Sequence, residues 1–460
     1  MPDGVKTTIK TMGFCGPCSA SEPAEVDTID GRIVRVRPFD YQLASTGKLA
    51  RWSIRARGRE FVSAEKSEIT PFALATKQRV YSPNRILYPM KRIDWDPQGE
   101  RNPQNRGTSK YQRISWDEAA GLIASEVQRI HQKYGANSIF VQSDGHHQVK
   151  TLHGPRGCEG ALLDAMGGYC QQARNPDSWE GWYWGAKHIW GCDPVGQGNQ
   201  NNLFYDVAQN SDSVLFWGCD VVTTPWGWGG HFPSRYCFFL RDIGVRQIYI
   251  CPDVNYAAAV HADKWIPVLP NTDSALQLAI AYVWMTEDLY DKDYIATHAL
   301  GFDWFEHHVM GGDDNIAKTP EWAEGVCGVP ARIIKALARS WAKQNVSIAH
   351  GNGGSFIRST YSHEPARLEV ALLGMQALGH PGRNQLKMME YQLYSLAETS
   401  PVPRAQFIPD LMSLLLPYTP DDRPAIVPET LVPEALAGDF DADNPLTWYG
   451  CTVAGVPVED

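Results

Sequence analysis

The sequence predicts an α/β fold of doubly wound, mostly parallel sheets. Three observations carry that prediction. SVLFW (213–217), QIYIC (247–251) and VSIAH (346–350) are short continuous apolar runs, the pattern of strands buried on both faces. Segments of helical period accompany them, at 273–286, 330–344 and 363–379. Each strand candidate ends in a turn of small or acidic residues, where open parallel sheets hold their ligands.

Composition sets the limits. The 460 residues have room for about three domains. Hydrophobic residues make up 43% and charged residues 20%, which supports a packed core and excludes a disordered chain. A net charge of −10 argues against a general nucleic-acid binder, which needs a basic face for phosphates. Seven of the sixteen tryptophans fall between Trp179 and Trp228. Such a concentration of flat rings suits a ring-shaped ligand, a large interface or an ordinary aromatic core. No apolar run reaches the roughly 18 residues of a membrane helix. The start, MPDGVKTTIKTMGF, shows neither an apolar export region nor a twin-arginine pair. Ten cysteines without framework spacing read as mostly free thiols, so a cytoplasmic location is the expectation.

The elements follow in order. Residues 1–110 read as an N-terminal β-containing and irregular region, with a hairpin signal at Asp30-Gly31 in VDTIDGRIVRVRP. YSPNRILYPMKR and DPQGERNPQNRG read as surface or wrapping loops. Residues 111–200 form the first part of an α/β domain. Ser115-Trp116-Asp117-Glu118 fits a capping box. Leu122, Ile123, Val127 and Ile130 then recur at helical spacing, and Tyr134-Gly135 ends the run. SIFVQ follows as a strand. Residues 201–400 carry the strand–helix alternation, and 401–460 is a tail rich in Pro, Asp and Leu with no recognisable closing element.

Several motifs could carry chemistry. Cys15-Gly16-Pro17-Cys18 is a C-x-x-C pair. A thioredoxin-like pair needs its second Cys to open a helix, and here a loop and a hairpin follow. A zinc or iron–sulfur site needs about four soft ligands, and the next cysteine is Cys158. Two loop thiols of a vestigial metal site are the expectation. His146-His147 follow the strand SIFVQ after Ser143-Asp144-Gly145. Imidazole exchanges protons near neutral pH, so His147 is a candidate acid–base; an ordinary loop histidine is the plain alternative. In NPDSWEGWYWGAKHIWG (175–191), Ser178 offers an oxygen to a hard, high-valent metal and Asp177 can carry protons. Trp179, Trp182 and Trp184 can wall a dry pocket. From these residues alone, a helix cap in front of an aromatic core is the stronger reading.

Strand-end turns complete the set. Trp217-Gly218-Cys219-Asp220 closes SVLFW, and Cys251-Pro252-Asp253 closes QIYIC. Thr272 and Asp273 open a helix, either as caps or beside N–H groups that hold an anion. Gly351, Asn352 and Gly353 lie in a Gly-rich turn after VSIAH, able to bring backbone close to phosphate. No G-x-G-x-x-G follows the first strand and no G-x-x-x-x-G-K-[ST] occurs, which argues against an ordinary NAD enzyme or P-loop kinase. Turns in series point to one extended nucleotide-like ligand.

Taken in order, YSPNRILYPMKR, YQRISWDEA, FWGCD, PDVNYAAAVHADKW, PNTDSALQLAIA, GVPARIIKALA and the Gly-rich turn before HPG resemble landmarks of the dimethyl sulfoxide reductase family of molybdopterin enzymes. ERNPQNRG, His146-His147 and NPDSWEGWYWG are most similar to the large, catalytic subunits of its pyrogallol–phloroglucinol transhydroxylase branch. The likeness covers most of the chain. It implies a multi-domain molybdopterin oxidoreductase fold, with a Rossmann-like guanine-dinucleotide-binding region over 201–400. It implies molybdenum held by two molybdopterin guanine dinucleotides, with Ser178 as the protein ligand to the metal and His147 and Asp177 beside a phenolic substrate. Trp179, Trp217, Gly218, Cys219, Asp220, Asp253, Thr272, Asp273, Gly351, Asn352 and Gly353 are implied around the cofactor. An active-site tyrosine is implied at Tyr391 or Tyr394, and Phe356 stands nearest the branch's tryptophan by the Gly-rich turn. No iron–sulfur cluster is expected in this chain, and an iron–sulfur small subunit is the implied electron partner. The family's C-terminal β-barrel domain is expected to be absent, as in a fragment, a split gene or a truncated frame. The expected activity moves hydroxyl groups on polyhydroxylated aromatics. The alternatives are a reductive aromatic dehydroxylase or hydratase of the same family, and a non-catalytic remnant of the cofactor fold.

Overall fold

A computed structural model describes residues 4–13, 21–45, 47–49, 51–69, 71–141, 158–173, 203–222, 232–350, 363–387 and 426–428, with 182, 185–186, 188–189, 361, 437, 452–453 and 456–457. Contacts divide the chain into two compact units. One is Met1–Leu74 with Pro176–Leu414; the other is Ala75–Asn175 with Leu415–Asp460. The units interleave along the chain, whereas the sequence reading takes four successive stretches.

The first unit opens with β1 (Lys6–Gly13), β2 (Ser21–Ile29) and β3 (Arg32–Pro38), an antiparallel sheet in that order. Asp30 and Gly31 make the β2–β3 turn with φ of 49° and 76°. Two successive left-handed residues are what a tight hairpin needs, and Asp-Gly supplies them. The buried Asp27 carboxylate is satisfied across the sheet by Thr7 at 2.8 Å and Arg35 at 2.9 Å. A second hairpin pairs β4 (Ser53–Ala56) with β5 (Arg59–Val62). Helix α1 (Pro71–Val80) follows, running across the boundary between Leu74 and Ala75.

In the second unit, β6 (Met90–Arg92) pairs antiparallel with β7 (Tyr111–Arg113). Helix α2 (Trp116–Tyr134) starts where the Ser115 hydroxyl accepts the Glu118 N–H at 3.0 Å, as the capping pattern requires. Arg101 grips Glu126 of α2 through two bonds of 2.6 and 2.8 Å. Arg101, with Arg129 helping, pulls that carboxyl down to about 2. Short parallel strands β8 (Phe140–Val141) and β9 (Cys170–Ala173) flank α3 (Cys158–Ala165) in sequence, and Ile426–Pro428 pairs with β9. Val141, Leu163 and Tyr169 form a small core there.

The main sheet belongs to the first unit. It contains β10 (Ser213–Trp217), β11 (Arg246–Ile250), β12 (Lys264–Ile266), β13 (Val346–His350) and β14 (Gln385–Lys387). All are parallel, in the order β12-β11-β10-β13-β14. Every residue of β10 and β13 is buried, which is why both are mostly apolar, with Ser213, Ser347 and His350 as the exceptions. One face packs on α4 (Leu203–Asn210), α5 (Phe232–Asp242) and α6 (Tyr256–His261). There Phe216 and Tyr249 stack at 4.6 Å above Phe204, Tyr236 and Phe239. The chain continues through α7 (Asp273–Thr286), α8 (Lys292–His298), α9 (Phe302–Val309), α10 (Pro320–Cys327), α11 (Ala331–Trp341) and α12 (His363–Met375). Helix α7 is mostly apolar and packs on α10, α11 and α12. The expected helix over 363–379 stops at Met375; Ala377 has a φ of 59°, which a right-handed helix cannot pass through. No described helix is long and apolar enough to cross a membrane.

Candidate active site

By sequence number, the five-stranded order is third, second, first, fourth, fifth. The winding therefore reverses between β10 and β13. Open parallel sheets take their ligands in the crevice beyond the strand ends at such a reversal. Trp217 and His350 are the last residues of those two strands and lie in register. Strand alternation sends both side chains to the same face. Both are buried, and both meet a carboxylate. The Trp217 indole N–H donates to Asp273 Oδ1 on α7 at 2.7 Å. His350 Nδ1 lies 3.1 Å from Glu369 Oε1 on α12.

The turns around this edge follow from their residues. Gly218, with a φ of 60°, gives its N–H to the Ile250 carbonyl at 2.9 Å and ties the turn to β11. Cys219 is buried in the core, and burial pushes its thiol well above the usual range. Its side chain is a packing group, so only its main chain can meet a ligand. Asp220 is half-buried and accepts the Val222 N–H at 3.0 Å. Asp253 is exposed, while its carbonyl accepts the Cys251 thiol at 3.2 Å and the Asn255 N–H at 2.9 Å. Burial pushes the Cys251 thiol up to about 11, with Asp253 and Asp220 adding to the effect, so both carboxylates stand around one turn. Thr272 sends its hydroxyl to the Leu269 carbonyl at 2.7 Å instead of capping α7. Asp273 serves Trp217. Acidic acceptors at two adjacent strand ends, with a glycine turn between β10 and Asp220, fit the hydroxyl and N–H donors of a nucleotide.

His147, Asp177, Ser178, Trp179, Gly351, Asn352 and Gly353 lie outside the described residues, as do Cys15, Cys18, Phe356, Tyr391 and Tyr394. Among the described residues no group of three His, Cys, Asp or Glu could hold a metal ion.

Sequence reasoning passed over a buried cluster beside the crevice. Glu369 Oε2 accepts the Trp182 indole N–H at 2.9 Å, and Oε1 accepts the Gln385 amide at 3.0 Å. Trp182 also stacks on the His350 ring at 4.4 Å. A signal was available: His350 ends an otherwise apolar buried strand, and Glu369 interrupts the apolar run of α12. Ionisable side chains in such places are rare unless paired.

Residues 85–427 match the molybdopterin oxidoreductase family. The chain belongs to that family. The resemblance read from the landmark segments is thereby confirmed, together with the molybdopterin oxidoreductase fold. Residues 22–79 match domain 1 of pyrogallol hydroxytransferase large subunit-like proteins. The pyrogallol hydroxytransferase large subunit of Pelobacter acidigallici is 39% identical over 393 residues, covering 82% of this chain and 45% of that protein. The dimethyl sulfoxide/trimethylamine N-oxide reductase of Rhodobacter capsulatus is 32% identical over 325 residues, covering 68% and 38%. This molybdopterin oxidoreductase chain thus spans less than half the length of either relative. Among solved structures, acetylene hydratase from Pelobacter acetylenicus aligns with a TM-score of 0.42 at 18% identity, covering 80% of this chain and 43% of that one, a likeness too distant to carry an argument.

Proposed function

We propose that this chain carries the catalytic centre of a molybdenum enzyme that moves hydroxyl groups on polyhydroxylated aromatics. One observation carries the reading: a nucleotide-type crevice at the β10–β13 reversal, in a chain 39% identical to a pyrogallol hydroxytransferase large subunit. The cofactor is molybdenum with two molybdopterin guanine dinucleotides. When bound, it supplies a two-electron redox centre for the aromatic ring.

The chain's own residues do the rest. Ser178 gives the metal an oxygen ligand. Trp217, Gly218, Cys219, Asp220, Asp253, Thr272, Asp273, Gly351, Asn352 and Gly353 hold the dinucleotides, with Asp220 and Asp253 as acceptors for hydroxyl and N–H groups. Trp179 walls the site and excludes water. The His147 imidazole and the Asp177 carboxylate exchange protons with phenolic hydroxyls, since a phenol that loses its proton becomes the better electron donor. Electrons reach the chain from an iron–sulfur small subunit in the cytoplasm.

The test uses the purified full chain. Wild-type protein should hold about one molybdenum per chain. Ser178→Ala should change the molybdenum EPR signal and abolish turnover. His147→Ala and Asp177→Asn should keep the metal and lose turnover by about 10²–10⁴. An unchanged signal and rate in Ser178→Ala would refute the ligand assignment. Near-silent His147 and Asp177 variants would reduce them to a loop residue and a helix cap.

A further inference from the structure

A buried carboxylate survives only where several donors meet it, and Glu369 meets three. The Trp182 indole N–H donates to Oε2 at 2.9 Å; the Gln385 amide donates to Oε1 at 3.0 Å; His350 Nδ1 lies 3.1 Å from the same Oε1. Glu369 and His350 are 0% and 3% exposed, so water does not substitute for these contacts. A carboxylate offers acceptors only. His350 Nδ1 therefore carries a proton, and the neutral ring is the Nδ1–H tautomer with its lone pair on Nε2. The Trp182 ring, 4.4 Å away and tilted by 19°, fixes the plane of the imidazole.

The three donors come from three separate stretches. Trp182 lies four residues after Ser178, His350 directly precedes Gly351, and Gln385 opens β14. Close packing brings the first stretch in. Gly185, three residues past Trp182, sits so tightly on the start of α12 that a Cβ would overlap the His363 carbonyl. We propose that Glu369 is a positioning residue, which fixes the tautomer of His350 and registers Trp182 against the end of β13. Its effect on the metal rests on the functional reading above; its hold on Trp182 and His350 does not.

Glu369→Gln tests this because it keeps the size and removes one acceptor. The amide turns its NH2 toward either Trp182 or His350. The variant should therefore lose the Trp182 N–H bond or the Nδ1–H tautomer of His350, read by ¹⁵N NMR of full-length chain labelled at Trp and His. Molybdenum per chain should fall below the wild-type content. Both bonds persisting in Glu369→Gln would overturn the proposal. A lost bond with wild-type molybdenum content would overturn the registering role and leave a merely structural carboxylate. If Glu369→Gln does not fold, Trp182→Phe serves instead: it keeps the stacked ring and removes one donor. It should retain the Nδ1–H tautomer of His350 and lower molybdenum content; unaltered content would overturn the role. A wild-type chain without molybdenum would count against the functional reading, and the NMR comparison would still decide the hold of Glu369 on its two rings.

Discussion

His261 shows what burial does to one imidazole. It is 1% exposed at the end of α6, with Nε2 3.5 Å from the Ser234 hydroxyl and the edge of Phe238 against its ring. Burial, with Arg241 adding to it and Asp220 opposing, pushes its pKa down to about 4. The folded chain thus holds His261 neutral at pH values where the unfolded chain, near 6.5, takes up a proton. Its contribution to stability is complete above about pH 6.5 and is lost as the pH falls toward about 4. The urea midpoint of His261→Asn should lie below that of wild type at pH 7, and the gap should narrow by pH 5. A gap constant across that range would contradict the assignment. Legibility at this scale depends on distance along the chain. The Ser115 cap could be read because its partner is three residues away. The partner of Glu369 could not, because Trp182 stands 187 residues from it. Trp217 reads as a ligand residue by its place at a strand end, yet its bond to Asp273, 56 residues on, is invisible in sequence.

Elements were legible where they were long or wholly apolar. β10, β13 and α7 fall where their patterns place them, because a five-residue buried run or a fourteen-residue helix leaves little ambiguity. β12 and β14 have three residues each, too few to show any period. Packing between elements was not legible at all, and Gly185 is the case that matters. Adding a methyl there must lift its helical turn off the start of α12, since the obstacle is backbone. Overpacking of this kind costs about 1–3 kcal/mol. Gly185→Ala should lose stability by that amount in urea titration and weaken the Trp182–Glu369 bond in the NMR spectrum. Wild-type stability would mean that the turn can slide without cost.

Across the whole molecule, chemistry and fold separate. The sheet order explains where a nucleotide can lie, but the same order serves many chemistries. What singles out this chain is the run of segments matched over residues 85–427, along with the relative at 39% identity. Cysteine arithmetic gives the prediction at this scale. Only Cys15 and Cys18 precede Cys158, and a four-iron cluster needs about four thiolates. The purified full chain should therefore contain molybdenum and no stoichiometric iron or acid-labile sulfide. About four iron atoms per chain would refute this and place the electron carrier within the chain itself.

The reversal of winding has a price in time. The two walls of the crevice, β10 and β13, pair residues 133 apart: Ser213 with Val346, next to the Asp212–Asn345 bond. Closing so long a loop precedes any reward from the contacts it makes. During synthesis at about 5–20 residues per second, the inner edge of β10 waits on the order of ten seconds for its neighbour to be made. Through that interval a buried, mostly apolar strand, SVLFW, shows a row of unpaired N–H and C=O groups on one side. The same feature that creates the ligand crevice thus leaves the nascent chain with an open strand edge until β13 is made.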